Sequence, residues 1–238
     1  MAIEVRRVTH TYGVGTPNAR TVLHGVDVVL TEHRVGIIGH NGSGKSTFVR
    51  LLDALLLPTE GTVVVGGFDT ARQASAVRSR TGFLFTDPDR QIIMPTVRED
   101  VAFGLRRRGL GKDEVARRVD AQLARFGLAG FADAPAHLLS GGQQQVLALA
   151  SVLITEPSLV VMDEPTTLLD LRNARMFAEL IFALDQQVVL ATHHLDALAG
   201  FDRVLCFDQG RIAADGAPAE VGAFYRELMS RPAGVGDL

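Results

Sequence analysis

The residues best suited to chemistry form a glycine-rich segment that ends in a lysine and a serine. Residues 39–46 read G-H-N-G-S-G-K-S and match the pattern G-x-x-x-x-G-K-[ST] in full. Glycines let a backbone wrap closely around a polyphosphate, and the amide groups that open the following helix attract phosphate oxygens. Lys45 is expected to reach the β- and γ-phosphates, and the Ser46 hydroxyl is expected to ligate Mg²⁺. The residues predicted to bind the nucleotide in this segment are Gly39, His40, Asn41, Gly42, Ser43, Gly44, Lys45, Ser46 and Thr47.

A pair of acidic residues supplies the second half of the predicted chemistry. Asp163 ends the apolar run 159–162, and a carboxylate at the carboxyl end of a buried strand is well placed to hold Mg²⁺. Glu164 comes next and could orient or deprotonate an attacking water. The pair therefore favours hydrolysis of the nucleotide over phosphoryl transfer to a metabolite.

The elements that must position these residues alternate between strand and helix patterns. Residues 35–38 form a short apolar run, typical of a strand buried on both faces of a parallel sheet, directly before the glycine-rich loop. Further strands are predicted around 159–162, 188–191 and 203–207, helical patterns over 48–55, 97–154 and 177–184, and an antiparallel layer from 3–5 and 26–30. This alternation predicts an α/β fold with a mainly parallel sheet.

Composition excludes several classes of protein. The chain has 238 residues with 27 acidic and 24 basic side chains, and this balance argues against a dedicated nucleic-acid binder. One cysteine, Cys206, cannot form a disulfide framework or a multi-cysteine zinc site. The N-terminal residues lack the apolar core of a secretion signal, and no apolar run reaches the roughly 18 residues of a membrane span. Composition predicts a soluble, cytoplasmic protein.

The segment 139–143, Leu-Ser-Gly-Gly-Gln, decides the family. It resembles the signature motif of ATP-binding-cassette (ABC) ATPases, and the other motifs of that family follow in the same order along the chain. They are the phosphate loop at 39–46, the signature at 139–143, the acids Asp163 and Glu164, the pair Leu169-Asp170, and His193. The resemblance extends from Tyr12 to about Gly216.

The resemblance implies a fold and a domain plan. The fold would be that of a P-loop NTPase of the RecA-like kind, with a mainly parallel sheet core, an antiparallel β layer and an inserted helical subdomain. A single ABC ATPase domain would cover 1–238, with a nucleotide core over about 1–86 and 156–238 and the helical subdomain over about 87–155.

The resemblance also assigns further site residues. In this family the signature of one subunit contacts the γ-phosphate bound by the phosphate loop of a second subunit, which implies a dimer with two sandwiched ATP molecules. The signature residues concerned are Ser140, Gly141, Gly142 and Gln143. Tyr12 would stack on adenine, Asp170 would lie across the interface, and His193 would contact the γ-phosphate and help to position water. The predicted catalytic residues are thus Glu164 and His193, and the predicted metal ligands are Ser46 and Asp163.

Two segments between the phosphate loop and the signature indicate a subgroup. Residues 85–91, F-T-D-P-D-R-Q, and 95–104, P-T-V-R-E-D-V-A-F-G, resemble the energy-coupling-factor ATPases that drive bacterial uptake of vitamins and transition metals. Those proteins usually carry glutamine where Thr86 stands, as a contact to magnesium and water. Three alternatives follow: the Thr86 hydroxyl replaces it as a ligand, Gln91 does a related job, or magnesium keeps an additional water.

The subgroup implies partners and a place in the cell. The expected partners are a second ABC ATPase, identical or different, an integral-membrane scaffold and a substrate-binding membrane subunit, with no nucleic acid and no direct contact with the transported substrate. The chain would act as a peripheral protein on the cytoplasmic face of the membrane. Thr86 and the short sequence after Gly216 most resemble the biotin-uptake type, with cobalt or nickel uptake next.

Other functions remain open on the sequence. A conventional ABC importer or exporter ATPase is the main alternative. A DNA-repair cassette would need a long coiled-coil insertion, a translation cassette would need two cassettes in tandem, and a P-loop kinase would lack the segment 139–143.

Overall fold

The computed structural model describes residues 1–106 and 108–230. The strands are β1 (Ile3–Tyr12), β2 (Arg20–Leu30), β3 (Arg34–Ile38), β4 (Glu60–Val65), β5 (Phe68–Asp69), β6 (Thr81–Leu84), β7 (Leu159–Asp163), β8 (Gln187–Ala191), β9 (Arg203–Asp208) and β10 (Arg211–Gly216). The α-helices are α1 (Lys45–Leu52), α2 (Ala74–Arg78), α3 (Val97–Phe103), α4 (Lys112–Arg125), α5 (Gly141–Leu153), α6 (Leu171–Phe182) and α7 (Pro218–Ser230).

The chain forms two compact units. The first comprises Met1–Val77 and the chain from Gln187 onward, and the second comprises Arg78–Gln186.

The first unit contains an antiparallel sheet in the strand order β2-β1-β4-β5. β1 pairs with β2 so that Ile3 lies opposite Leu30 and Val5 opposite Val28. These four side chains are buried, because apolar residues two apart share one face of a strand and that face forms the core. The antiparallel layer predicted from the alternation is therefore present.

A second set of strands in the first unit positions the phosphate loop. β3 pairs in parallel with β8 and with β9, and β10 continues from β9 in antiparallel direction. Every residue of β3 and of β8 is buried, as expected for strands covered on both faces. Since β3, β8 and β9 run in parallel, the segments that follow Ile38, Ala191 and Asp208 leave the sheet at one edge.

In its described residues, the second unit combines a parallel strand pair with the α-helices α3, α4, α5 and α6. β6 pairs with β7, and Leu84 lies opposite Met162 at the carboxyl ends. α3 begins with a capping box in which Thr96 and Glu99 satisfy each other's backbone amides. α5 is the most apolar helix of this unit, and most of its residues are buried, because it packs against β6, α3 and α6.

The α/β architecture agrees with the prediction, and the differences concern where helices end. The helical pattern 48–55 stops at Leu52, and the pattern 177–184 belongs to α6, which ends at Phe182. The long helical region predicted over 97–154 consists of α3, α4 and α5, with turns between them. Among the described residues, no helix is both long and apolar enough to cross a membrane. The predicted domain limits stay a prediction.

Candidate nucleotide site

The phosphate loop adopts backbone conformations that require glycine. Gly39, Gly42 and Gly44 have φ angles of 152°, 85° and 105°, in the region that side-chain-bearing residues rarely adopt. A Cβ atom on Gly39 would overlap the carbonyl oxygen of Phe207 and would lie 2.5 Å from Ser43 Oγ. Gly39 must therefore be glycine for the loop to pack against Phe207 and Ser43 in this conformation.

Lys45 brings a positive charge into this loop. Its side chain is buried, and Nζ donates hydrogen bonds of 2.7 Å to the carbonyl of Gly39 and 3.0 Å to that of His40. Ser43 Oγ is buried as well and has no hydrogen-bond partner among the described residues. A buried hydroxyl without a partner is unfavourable, and a phosphate oxygen would satisfy it. The buried Lys45 ammonium and the buried Ser43 hydroxyl therefore make the loop suited to bind a polyphosphate.

The first turn of α1 adds amide donors. Gly44 is the N-cap residue of this helix, with a left-handed backbone, and it makes no side-chain cap hydrogen bond. The first turn contains no acidic residue, so its positive end is not neutralised locally. The sequence thus correctly placed a helix start directly behind the loop.

The turn between β9 and β10 supports the phosphate loop from outside. The Gly210 amide donates to the Ser43 carbonyl at 3.0 Å, and Asp208 Oδ1 lies 3.2 Å from His40 Nε2. Gly210 has a φ of 73°, and a Cβ there would overlap the Val22 carbonyl oxygen. Sequence reasoning missed this support, because Asp208 and Gly210 lie more than 160 positions along the chain from the loop.

Tyr12 lies beside the first turn of α1. Its hydroxyl is 3.1 Å from Thr47 Oγ1, and its ring meets the His10 ring edge-on with 4.6 Å between centroids. The side chain is 39% exposed, which leaves ring surface for a planar ligand next to the phosphate loop. The predicted contact with adenine stays a prediction.

His193 emerges from the same sheet edge as the phosphate loop. It follows β8, and the Thr192 amide donates to the Ile37 carbonyl at 3.0 Å, so the two segments run side by side. The exposed His193 ring packs on the His194 ring with 4.0 Å between centroids. In the first unit, Tyr12 therefore contacts the helix that follows the loop, and the residue before His193 contacts the strand that precedes it.

The acidic pair lies in the second unit at the carboxyl end of β7. Asp163 is 1% exposed, while Glu164 is half-buried with a φ of 52°. A left-handed backbone costs a residue with a side chain about 1 to 2 kcal/mol, and such strain is typical of functional sites. The Thr167 hydroxyl donates to Glu164 Oε2 at 3.1 Å. This contact, which the sequence did not reveal, orients the carboxylate.

Thr86 and Gln91, the two residues considered as replacements for the family's usual glutamine, both make hydrogen bonds to backbone. The Thr86 hydroxyl donates to the backbone carbonyl of Asp163 at 2.7 Å. Gln91 is used by the backbone after β6: its Nε2 donates to the Phe83 carbonyl at 3.2 Å, and its Oε1 accepts from the Phe85 amide at 3.1 Å. Both side chains therefore have structural partners within the second unit.

The signature segment forms the start of α5. Ser140 and Gln143 make a capping box, in which Ser140 Oγ accepts from the Gln143 amide and Gln143 Oε1 accepts from the Ser140 amide. Ser140 and Gly141 are exposed, and Gly142 is buried. Ser140 and Gly141 thus lie at the surface, and their predicted contact with the γ-phosphate of a second subunit stays a prediction.

Asp170 and Asn173 connect the signature with the segment after Glu164. Asp170 caps α6, with Oδ1 and Oδ2 each 2.8 Å from donors on Asn173. The side chain of Asn173 reaches Gly142, whose Cβ, if present, would lie 2.9 Å from Asn173 Cγ. Gly142 must therefore be glycine for Asn173 to pack there, a constraint visible only in the structure.

Residues 1–106 and 108–230 contain no cluster of three or more His, Cys, Asp or Glu side chains that could hold a metal ion by themselves. Mg²⁺ in nucleotide sites is usually bound by one or two protein oxygens together with phosphates and waters. A serine hydroxyl and an aspartate are oxygen donors of that kind, so Ser46 and Asp163 fit Mg²⁺ by their chemistry.

Comparison with known proteins gives a consistent result. The family model described as "ABC transporter" matches residues 24–167. The biotin transport ATP-binding protein BioM of Rhizobium etli is 49% identical over 212 residues, which cover 89% of this chain and 94% of the relative. The energy-coupling factor transporter ATP-binding protein EcfA1 of Caldanaerobacter subterraneus is 38% identical over 226 residues, covering 92% of this chain and 82% of the relative.

Solved structures agree in fold. The structure of cbiO1 from Clostridium perfringens, described as part of the ABC transporter complex cbiONQ, superposes with a TM-score of 0.82 at 32% identity and covers 96% of this chain and 94% of that one. The ATP-binding cassette MJ0796, solved as a dimer in a post-hydrolysis state with ADP and phosphate, gives a TM-score of 0.80 at 28% identity, with coverage of 91% and 98%. The predicted fold class is confirmed.

Proposed function

The chain belongs to the ABC transporter family, and we propose that it is the ATP-hydrolysing subunit of an energy-coupling-factor importer. The observation that carries this proposal is the identity of 38% to 49% with BioM and EcfA1 over about nine-tenths of the chain. The resemblance drawn from the motifs is thereby confirmed at the level of the family and the subgroup. Biotin is the favoured substrate, because the relatives named for biotin transport share 45% to 49% of their residues with this chain.

ATP is the energy source, and each unit supplies part of its binding and hydrolysis. In the first unit, Lys45 and the loop amides bind the β- and γ-phosphates. Ser46 in the first unit and Asp163 in the second are the residues that would hold Mg²⁺, and the ion would neutralise phosphate charge. In the second unit, Glu164 accepts a proton from the attacking water or orients it. The exposed position of His193 beside the phosphate loop supports its role as a contact to the γ-phosphate.

A second ATPase chain completes the site. The exposed hydroxyl of Ser140 and the amide of Gly141 would donate to the γ-phosphate held by the partner's phosphate loop, and Gly142 and Gln143 would support them. Support comes from the dimeric structure of MJ0796, at 28% identity. In this account, binding of ATP closes the dimer and hydrolysis reopens it, which provides a two-state element for transport.

Membrane subunits provide the path for the substrate. The similarity to cbiO1, described as part of the complex cbiONQ, supports assembly with other chains. We place the protein on the cytoplasmic face of the membrane, where a scaffold subunit transmits its motion to a substrate-binding subunit. A conventional ABC importer or exporter is the alternative, supported by the TM-score of 0.79 to a bacterial Atm1-family ABC exporter at 27% identity.

Purification of the tagged chain from native membranes in mild detergent tests this proposal. The expected result is a complex with a membrane scaffold and a small membrane subunit that binds radiolabelled biotin. Binding of cobalt or nickel by the complex, with no binding of biotin, would change the substrate but keep the subgroup. A complex with the paired membrane domains of a conventional importer or exporter would contradict the subgroup.

A further inference from the structure

The hydroxyl of Thr86 contacts the backbone immediately before Glu164, and we infer that Thr86 is a positioning residue for this carboxylate. The inference rests on the proposed role of Glu164 in activating water. Thr86 follows β6, and its Oγ1 donates to the carbonyl of Asp163 at 2.7 Å. This role differs from the three alternatives left open by the sequence, because the hydroxyl orients protein backbone instead of a metal or a water.

The contacted carbonyl controls the torsion that sets the direction of Glu164. It belongs to the peptide that joins Asp163 to Glu164, and rotation of that peptide about N–Cα of Glu164 changes φ. The observed φ of 52° is unusual for a glutamate. It is also unusual before a proline, since the ring of Pro165 favours an extended backbone with negative φ at the preceding residue. Such a conformation persists only where neighbouring contacts hold it.

Thr86 is itself held firmly enough to act on this peptide. The preceding residue, Phe85, donates its amide to Gln91 Oε1 at 3.1 Å and accepts at its carbonyl from Gln145 Nε2 at 3.2 Å. Gln145 is 1% exposed, so its contact is shielded from water. The backbone that carries Thr86 is thereby fixed on both sides of Phe85.

A second threonine holds the other end of Glu164. The Thr167 hydroxyl donates to the carboxylate at 3.1 Å, and the Thr167 amide lies 3.3 Å from the Glu164 carbonyl. Thr86 therefore acts on the peptide before Glu164, and Thr167 acts on the side chain. Together they select one direction for the carboxylate from the conformations that this residue could adopt.

Thr86→Val tests the inference, because valine has the shape of threonine but no hydroxyl. Phosphate release is measured as a function of ATP and of Mg²⁺ for the full chain, with Thr86→Ser as the conservative control. We expect kcat of Thr86→Val to fall about threefold to tenfold, the equivalent of one hydrogen bond. KM for ATP and the Mg²⁺ concentration for half-maximal activity should stay at wild-type values, and Thr86→Ser should restore kcat to within about twofold.

Three outcomes would overturn the inference. A wild-type kcat for Thr86→Val would show that the hydroxyl does not position Glu164. A raised Mg²⁺ requirement in parallel with the loss of kcat would instead assign the hydroxyl to the metal. Loss of kcat in Thr86→Ser equal to that in Thr86→Val would show that the methyl group, not the hydroxyl, matters. If Thr86→Val does not fold, Thr86→Ala removes the same hydroxyl and carries the same expected result.

Glu164→Gln separates this inference from the proposal on which it rests. Wild-type turnover by Glu164→Gln would refute the role of Glu164 itself. An inactive Glu164→Gln together with a fully active Thr86→Val would refute only the positioning role of Thr86.

Discussion

Replacing Gly210 by alanine should weaken ATP binding, although Gly210 lies on the outer side of the phosphate loop. Its amide donates to the Ser43 carbonyl at 3.0 Å, and its φ is 73°. Alanine in this conformation costs about 1 to 2 kcal/mol. The added methyl group would also overlap the Val22 carbonyl oxygen and would lie 2.8 Å from the His24 ring. Since the Val22 carbonyl belongs to the backbone and cannot rotate aside as a side chain can, the turn must move away from the loop.

The expected size of the effect follows from the contact that is lost. A hydrogen bond of this kind contributes about 1 kcal/mol, which corresponds to about fivefold in Kd for ATP if the loop is no longer held in its binding conformation. Total destabilisation of folding should reach about 2 to 3 kcal/mol, the sum of the left-handed strain and the lost bond.

Gly67 provides a matched control. It has a φ of 86°, and a Cβ there meets no atom of the described residues within 4 Å. Gly67→Ala should therefore show only the strain of about 1 to 2 kcal/mol in urea unfolding and an unchanged Kd. Calorimetric titration of both variants with a non-hydrolysable ATP analogue distinguishes the two effects. Equal Kd values for Gly210→Ala, Gly67→Ala and wild type would refute the idea that this turn holds the loop.

Two further predictions concern buried groups. Asp100 accepts hydrogen bonds from the amides of Ile93 and Met94 and from the Ser151 hydroxyl at 2.7 to 3.2 Å, so Asp100→Ala should lower the free energy of unfolding in urea by about 2 to 4 kcal/mol. Asp100→Asn keeps an oxygen acceptor and should lose less than about 1 kcal/mol, and equal losses would contradict this assignment. Burial raises the pKa of the Cys206 thiol to about 11. Alkylation of this thiol at pH 8, detected by mass spectrometry, should therefore require unfolding. Rapid alkylation of the native protein would contradict this prediction.

Local sequence patterns were sufficient for the residues whose roles depend on their neighbours in the chain. The phosphate loop, β3 before it and α1 after it follow from the spacing of glycines and apolar residues. The apolar run before Asp163 likewise predicted β7, which the structure confirms. The signature segment was recognised by its resemblance to the family motif, and the structure adds that Ser140 and Gln143 form the capping box of α5.

Contacts between distant parts of the chain could not be predicted in this way. The sequence left the role of Thr86 open, because its partner, the Asp163 carbonyl, is 77 positions away and becomes a neighbour only when β6 and β7 pair. The support of the loop by Gly210 depends in the same manner on the pairing of β3 with β9. Asn173 belongs to none of the motifs recognised in the sequence. Its role in packing against Gly142 is visible only in the structure.

Phosphate release by the wild type and by Glu164→Gln, with ATP binding measured in parallel, shows whether Glu164 activates water for ATP hydrolysis. Lys45→Ala and Lys112→Ala are the reference variants, since Lys112 is the other lysine in the sequence and is exposed on α4. We expect wild type and Lys112→Ala to release phosphate, Glu164→Gln to bind ATP with almost no release, and Lys45→Ala to lose both binding and release. Hydrolysis by Glu164→Gln at the wild-type rate would contradict this role of Glu164.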